Sequence, residues 1–149
     1  GMIVRAALGA GAHAMLLPDR GGALVDEGVV RSSAGAVFHL PVANVGNLAD
    51  ALRGVRERGF WVFGLDGEAD QSIYETPWPD RVVLVMGNES KGIRPGVRRV
   101  CDVLVRIPLD PRLESLNVAV SAGVALFEAA RAHRALPADA RARAPRYPK

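Results

Sequence analysis

Three short apolar runs, each cut off by a loop of small and polar residues, constrain this chain more than anything else in it. Phe60–Leu65 ends at Asp66-Gly67, Val82–Met86 at Gly87-Asn88-Glu89-Ser90-Lys91-Gly92, and Val103–Ile107 at Pro108. Unbroken apolar runs of this kind read as strands buried on both faces, which is the habit of parallel sheets. Helical stretches lie between them. Asn47 is placed to cap a helix reaching Arg58, with Leu48, Leu52 and Val55 as its buried stripe and Gly59 just beyond its end. Pro95–Val100 suits a short helix with proline near its start. Asn117 to Ala135 predicts a long helix whose buried stripe is Leu116, Val120, Val124, Phe127 and Ala130. Arg131, His133 and Arg134 complement its negative end, and Pro137 stops it. Alternating strands and helices predict a three-layer α/β domain with a parallel sheet.

The remaining segments read less sharply. Residues 2–8 suit a helix ended by Gly9 and Gly11, Ala14–Leu17 a short strand, and Asp26–Ser33 a short helix. Phe38–Val42 reads as a second short strand. Glu68–Asp80 reads as a loop with one turn around Ser72-Ile73-Tyr74.

Ligands of open parallel sheets sit beyond the carboxyl ends of the strands. Loops rich in glycine expose backbone N–H and C=O groups without a Cβ in the way. Three adjacent ends of this type make one pocket. The same features also describe ordinary strand-to-helix turns, and on residue pattern alone both readings stand.

Composition narrows the class. The chain has 149 residues, 49% of them hydrophobic, and a mean hydropathy of +0.11, which fits one globular domain. No apolar run approaches the roughly 18 residues of a membrane-spanning helix, and the opening GMIVRAALGAGA lacks a signal-peptide layout. Cys101 is single, so an internal disulfide is excluded and a reducing cytoplasm fits. His13, His39 and His133 are scattered, and no metal site is expected. Charge is uneven. Residues 131–149 hold six basic side chains against Asp139; the totals of 19 basic and 16 acidic leave 13 and 15 for the rest. The body is therefore slightly acidic. Affinity for nucleic acid would have to come from a local patch (Lys91, Arg94, Arg98, Arg99) or from the tail. For Arg98 and Arg99 a solvated helix face fits equally well.

Two long motifs sharpen the reading. Leu84-Val85-Met86-Gly87-Asn88-Glu89-Ser90-Lys91-Gly92-Ile93 resembles the second motif of the SpoU/TrmH class of RNA ribose 2′-O-methyltransferases, in the SPOUT superfamily. Ile107-Pro108-Leu109, followed after a gap by Ser115-Leu116-Asn117-Val118-Ala119-Val120-Ser121-Ala122, resembles the third. Both occur in the family's order and separation, and the resemblance runs from Gly1 to about Arg134. It implies a methyltransferase domain over residues 1–136, its N-terminal edge read as truncated, and a flexible basic tail over 137–149. It also implies a C-terminal trefoil knot, a feature nearly absent from other proteins, with the knotted loops forming the pocket for S-adenosyl-L-methionine and a homodimer facing it.

The implied site follows residue by residue. Arg5 matches the arginine of the first motif and is assigned to RNA phosphate and to orientation of the 2′-OH. Glu89 matches the motif glutamate and is assigned to holding its loop and pairing with a cation. Ser115 and Asn117 match the third motif and are assigned to substrate or to positioning Arg5; either also suits a helix cap. The cofactor walls are Leu65 and Gly67, then Gly87 and Asn88, then Ile107 and Leu116. The first motif's asparagine, two residues before the glycine that Gly1 matches, is absent, and Asn44-Val45-Gly46-Asn47 precedes the wrong helix to replace it. The expected substrate is RNA, ribosomal ahead of transfer RNA. The alternatives are a transfer-RNA methyltransferase and a non-catalytic RNA-binding or ribosome-assembly protein of the same fold.

Overall fold

The computed structural model describes residues 1–19, 26–88 and 91–135. Five helices order the described chain: α1 (Met2–Ala10), α2 (Glu27–Ser32), α3 (Leu48–Glu57), α4 (Pro95–Arg98) and α5 (Val118–Ala135). Six strands alternate with them: β1 (Met15–Pro18), β2 (Val42–Val45), β3 (Trp61–Leu65), β4 (Gln71–Ser72), β5 (Val82–Val85) and β6 (Val103–Arg106). Every strand pairing among the described residues is parallel. β1 lies beside β2, and a second sheet has the order β4-β6-β3-β5. The α/β class and the parallel sheet expected from the sequence are what the chain adopts.

β3 is central because its residues are apolar on both faces. Val62 and Phe63 are wholly buried. On one side Val62 joins Ala49 and Leu52 of α3, Val85 and Val100, with Leu48 and Val55 packed around them. On the other, Phe63 joins Ile73, Trp78, Val105 and Ala129 of α5. The side-chain oxygen of Asn47 accepts from the amides of Ala49 and Asp50, so α3 starts where its sequence cap stands. Asn117 does the same for α5, accepting from Ala119 at 2.9 Å. Asp102 ties β6 to the start of β3. It donates its amide to Val62 O at 2.8 Å, accepts from the Val62 amide at 2.9 Å, and pairs with Arg56 at 2.6 Å.

Three sequence expectations are corrected. Phe38 is not in a strand: Ala36–Phe38 is a 3-10 turn, and the strand is Val42–Val45. The turn buries Ala36 and Leu40 against Val4 and Ala7 of α1, so this segment serves a side cluster and leaves Phe38 exposed. Residues 68–80 are not only loop. Gln71–Ser72 extends the sheet beside β6, and Trp78 stacks at 5.0 Å from Phe63 while donating to Ile73 O. Finally, α5 buries Ala122, Ala125 and Ala129, while Val120 and Phe127 are about half exposed. Ala129 packs on the cluster around Phe63, while α1 approaches α5 at Gly123, where a Cβ would lie 3.9 Å from Ala6 Cβ. A lesser difference concerns α1, which runs through Gly9 and ends at Gly11 in a left-handed conformation, φ 86°.

Cys101 sits half-buried behind β3, where burial and then the neighbouring Asp102 push its thiol up to about 11. Thiolate is the reactive form. Against 9.0 for the free thiol, native labelling at pH 8 is expected to be about a hundredfold slower than in the unfolded chain. Thiol-reagent kinetics with and without denaturant measure this ratio; equal rates would contradict it.

Candidate active site

The register of the second sheet determines which loops meet. Gly64 pairs with Val85, and Leu65 with Val105, all strands running the same way. The chain therefore leaves β3, β5 and β6 side by side at one edge. Leu65 and Gly67 follow β3, Gly87 and Asn88 follow β5, and Ile107 follows β6. Leu65 and Ile107 pack onto the same apolar cluster, which α5 covers.

Each loop has a local cause. Beyond β3, Asp66 continues the ladder by donating its amide to Val105 O at 2.9 Å. Its carboxylate accepts from the Glu68 amide at 3.0 Å, and its carbonyl from the Ala69 amide at 3.1 Å. Gly67 stands in the middle of this turn, and a Cβ there would meet no atom within 4 Å. Beyond β5 the loop closes on itself. Asn88 and Gly92 exchange both backbone hydrogen bonds, at 2.9 and 2.8 Å. Gly87 lies against that closure, and a Cβ on it would be 2.4 Å from Gly92 C and 2.6 Å from Ile93 N. Glycine is required there by close approach.

The third loop leads from Ile107 to Leu116, which is half-buried, and to Asn117, the exposed cap of α5. Ser115 is exposed just before them. Arg5 lies on the exposed face of α1 and makes no ion pair among the described residues. Ala6 faces Gly123, and Gly9 faces Phe127, so α1 and α5 start at the same end of their pair. Arg5 and Asn117 thus belong to one end of that helix pair. Glu89 lies outside the described residues, as does the basic tail expected over 137–149.

The strand ends suit an adenosyl ligand. Half-buried Leu65, Ile107 and Leu116 offer apolar surface, and the backbone groups of Gly67, Gly87 and Ile107 carry no hydrogen bond among the described residues. Apolar walls with a few convergent backbone groups are the usual make-up of a small-molecule site. Among the described residues no three His, Cys, Asp or Glu side chains gather as metal ligands, and no helix is long and apolar enough to cross a membrane.

Sequence reasoning missed Arg98. Assigned to a basic patch or a solvated face, it instead donates from Nε to Asp66 Oδ2 at 2.9 Å. The Glu68 amide foremost, with Arg98, holds the Asp66 carboxyl below its ordinary range despite partial burial. Lys91, Arg94 and Arg99 are exposed without ion pairs among the described residues.

Known proteins resemble the chain closely. The profile of the SpoU rRNA Methylase family matches residues 1–127. The 23S rRNA (guanosine-2′-O-)-methyltransferase RlmB of Xylella fastidiosa strain 9a5c is 44% identical over 131 residues, 88% of this chain and 53% of that protein. RlmB of Ralstonia nicotianae is 41% identical over 138 residues, 93% of this chain and 55% of that protein. The crystal structure of the SpoU methyltransferase AviRb from Streptomyces viridochromogenes, in complex with AdoMet, superposes with a TM-score of 0.81 at 30% identity, covering 87% of this chain and 53% of that one. The chain spans about half the length of these relatives.

Proposed function

The chain belongs to the SpoU rRNA Methylase family, and from that premise we propose that it transfers a methyl group from S-adenosyl-L-methionine to a ribose 2′-OH of ribosomal RNA. The observation that carries this reading is the parallel register that brings the loops of β3, β5 and β6 to one sheet edge. The names of the RlmB relatives support the ribosomal substrate, and the AdoMet complex of AviRb supports the cofactor.

In this reading Leu65, Ile107 and Leu116 hold the adenine between apolar surfaces. The backbone of Gly67, Gly87 and Asn88 fixes its polar edges. When bound, the cofactor supplies a methyl group on a sulfonium, which needs an in-line nucleophile and no metal. The carbon–oxygen bond forms as the carbon–sulfur bond breaks, S-adenosylhomocysteine leaves, and the 2′-OH proton passes to solvent. The protein's task is then to position a ribose oxygen in line and stabilise the negative charge it gains as that proton departs. Arg5 takes the RNA phosphate and that charge. Arginine stays protonated in proteins, so its work is electrostatic and orienting. Asn117 has its amide oriented by capping α5, and from that fixed orientation it and Ser115 line the substrate side. Glu89 pairs with a cation of the site.

The same reading includes a homodimer, a trefoil knot and a cytoplasmic setting. Met2, Val120 and Phe127 are about half or more exposed on the paired helices α1 and α5, an apolar face suited to a second copy.

The test is methyl transfer from labelled S-adenosyl-L-methionine to unmodified 23S rRNA and to transfer RNA, with sedimentation of the same sample. Label in alkali-resistant dinucleotides of the ribosomal RNA, from a dimeric sample, is the expected result. Label in transfer RNA alone would overturn the substrate. Cofactor binding without transfer to any RNA would overturn the enzyme in favour of an RNA-binding protein of the same fold.

A further inference from the structure

We infer that Arg98 is a positioning residue of the cofactor pocket, acting through Asp66 on the turn that carries Gly67; the inference rests on the cofactor reading of these strand ends. Arg98 lies 32 residues from Asp66 in sequence, at the end of α4, which follows the closed loop after β5. Its Nε reaches Asp66 Oδ2 at 2.9 Å. The remaining groups of Asp66 are also engaged: Oδ1 on the Glu68 amide, its carbonyl on the Ala69 amide, its own amide on Val105 O of β6. Those bonds set the path of residues 66–69. Gly67 makes no hydrogen bond among the described residues, so its orientation depends on that frame.

The pair also joins two walls. Asp66 belongs to the loop after β3 and Arg98 to the segment leaving the loop after β5. Gly64, two residues before Asp66, lets the segments on either side of Arg98 pack closely on β3: a Cβ there would be 2.8 Å from Leu104 Cδ2, 2.9 Å from Ile93 Cδ1 and 3.0 Å from Cys101 Sγ. The Asp66 carboxylate is largely covered, with 18% of its side-chain surface exposed, while Arg98 retains 47%. A covered carboxylate that loses its cation is free to turn from the Glu68 amide, and the frame around Gly67 loosens.

The experiment is a double-mutant cycle with S-adenosylhomocysteine as titrant, on the full chain, using Arg98→Ala, Asp66→Asn and both together, plus Arg98→Lys. Asparagine keeps an oxygen for the Glu68 amide but removes the ion pair. Each single variant is expected to bind about tenfold more weakly, the scale of one charge-assisted hydrogen bond. The double variant is expected to be no worse than either, and lysine to restore part of the loss. In turnover assays KM for S-adenosyl-L-methionine rises while kcat at saturation holds, a split that general destabilisation would not produce. If the wild type binds and the variants match it, or if the losses simply add, this inference falls alone. If the wild type binds no cofactor, the cofactor reading falls and the inference with it.

Discussion

Arg5→Ala is expected to reduce methyl transfer by about a thousandfold, the scale of losing a donor to developing charge, while leaving cofactor affinity and the melting temperature unchanged. The structural basis is the position of Arg5. It is exposed on α1, makes no ion pair among the described residues, and points away from the cluster built by Val4 and Ala7. Its removal therefore costs the fold nothing. The proposal places the RNA phosphate and the reacting oxygen beside it, where the loss falls on the chemical step. Arg5→Lys keeps the charge but not the planar fork, so its rate should lie between the two. Single-turnover kinetics at saturating cofactor read the step directly. An unchanged rate in Arg5→Ala would remove Arg5 from the site.

Gly87→Val is expected to abolish cofactor binding and to lower stability by about 1–3 kcal/mol, the range for forced overpacking. The obstacle is backbone, not a flexible side chain. A Cβ would sit 2.4 Å from Gly92 C, and real Cβ contacts essentially never fall under 3.0 Å. The two backbone bonds between Asn88 and Gly92 have to open to relieve it. Gly67→Ala is the internal contrast. Its Cβ meets nothing within 4 Å, so the melting temperature should hold while the added methyl group enters the pocket and weakens binding. Thermal melts and calorimetry on both variants separate the two effects. A Gly87→Val protein that binds normally would place the cofactor elsewhere.

Strands β3, β5 and β6 were legible because they are apolar on both faces and stop at loop residues; their ends fall within a residue of expectation. The cap at Asn47 was legible for a similar reason; for α5 the sequence left the cap open between Ser115 and Asn117, and Asn117 takes it. What stayed hidden depends on distant partners. Gln71-Ser72 becomes a strand only because Arg106 and Val105 lie beside it. Phe38 is exposed, so its hydrophobicity misled. In α5 periodicity favoured the large residues Val120 and Phe127, whereas Ala122, Ala125 and Ala129 are the ones buried, Ala129 among Phe63, Ile73, Trp78 and Val105. The site divides in the same way. Loop glycines and the family motifs announced the strand ends. Arg98 gave no local sign of its link to Asp66, because nothing in the sequence around either residue names the other.

The measurement that bears most directly on the central claim is calorimetric titration of the chain with S-adenosyl-L-methionine and S-adenosylhomocysteine. The strand ends of β3, β5 and β6 are all within it, so the account predicts one site per chain with micromolar affinity, about −8 kcal/mol, for both ligands. A folded sample that binds neither would contradict the account.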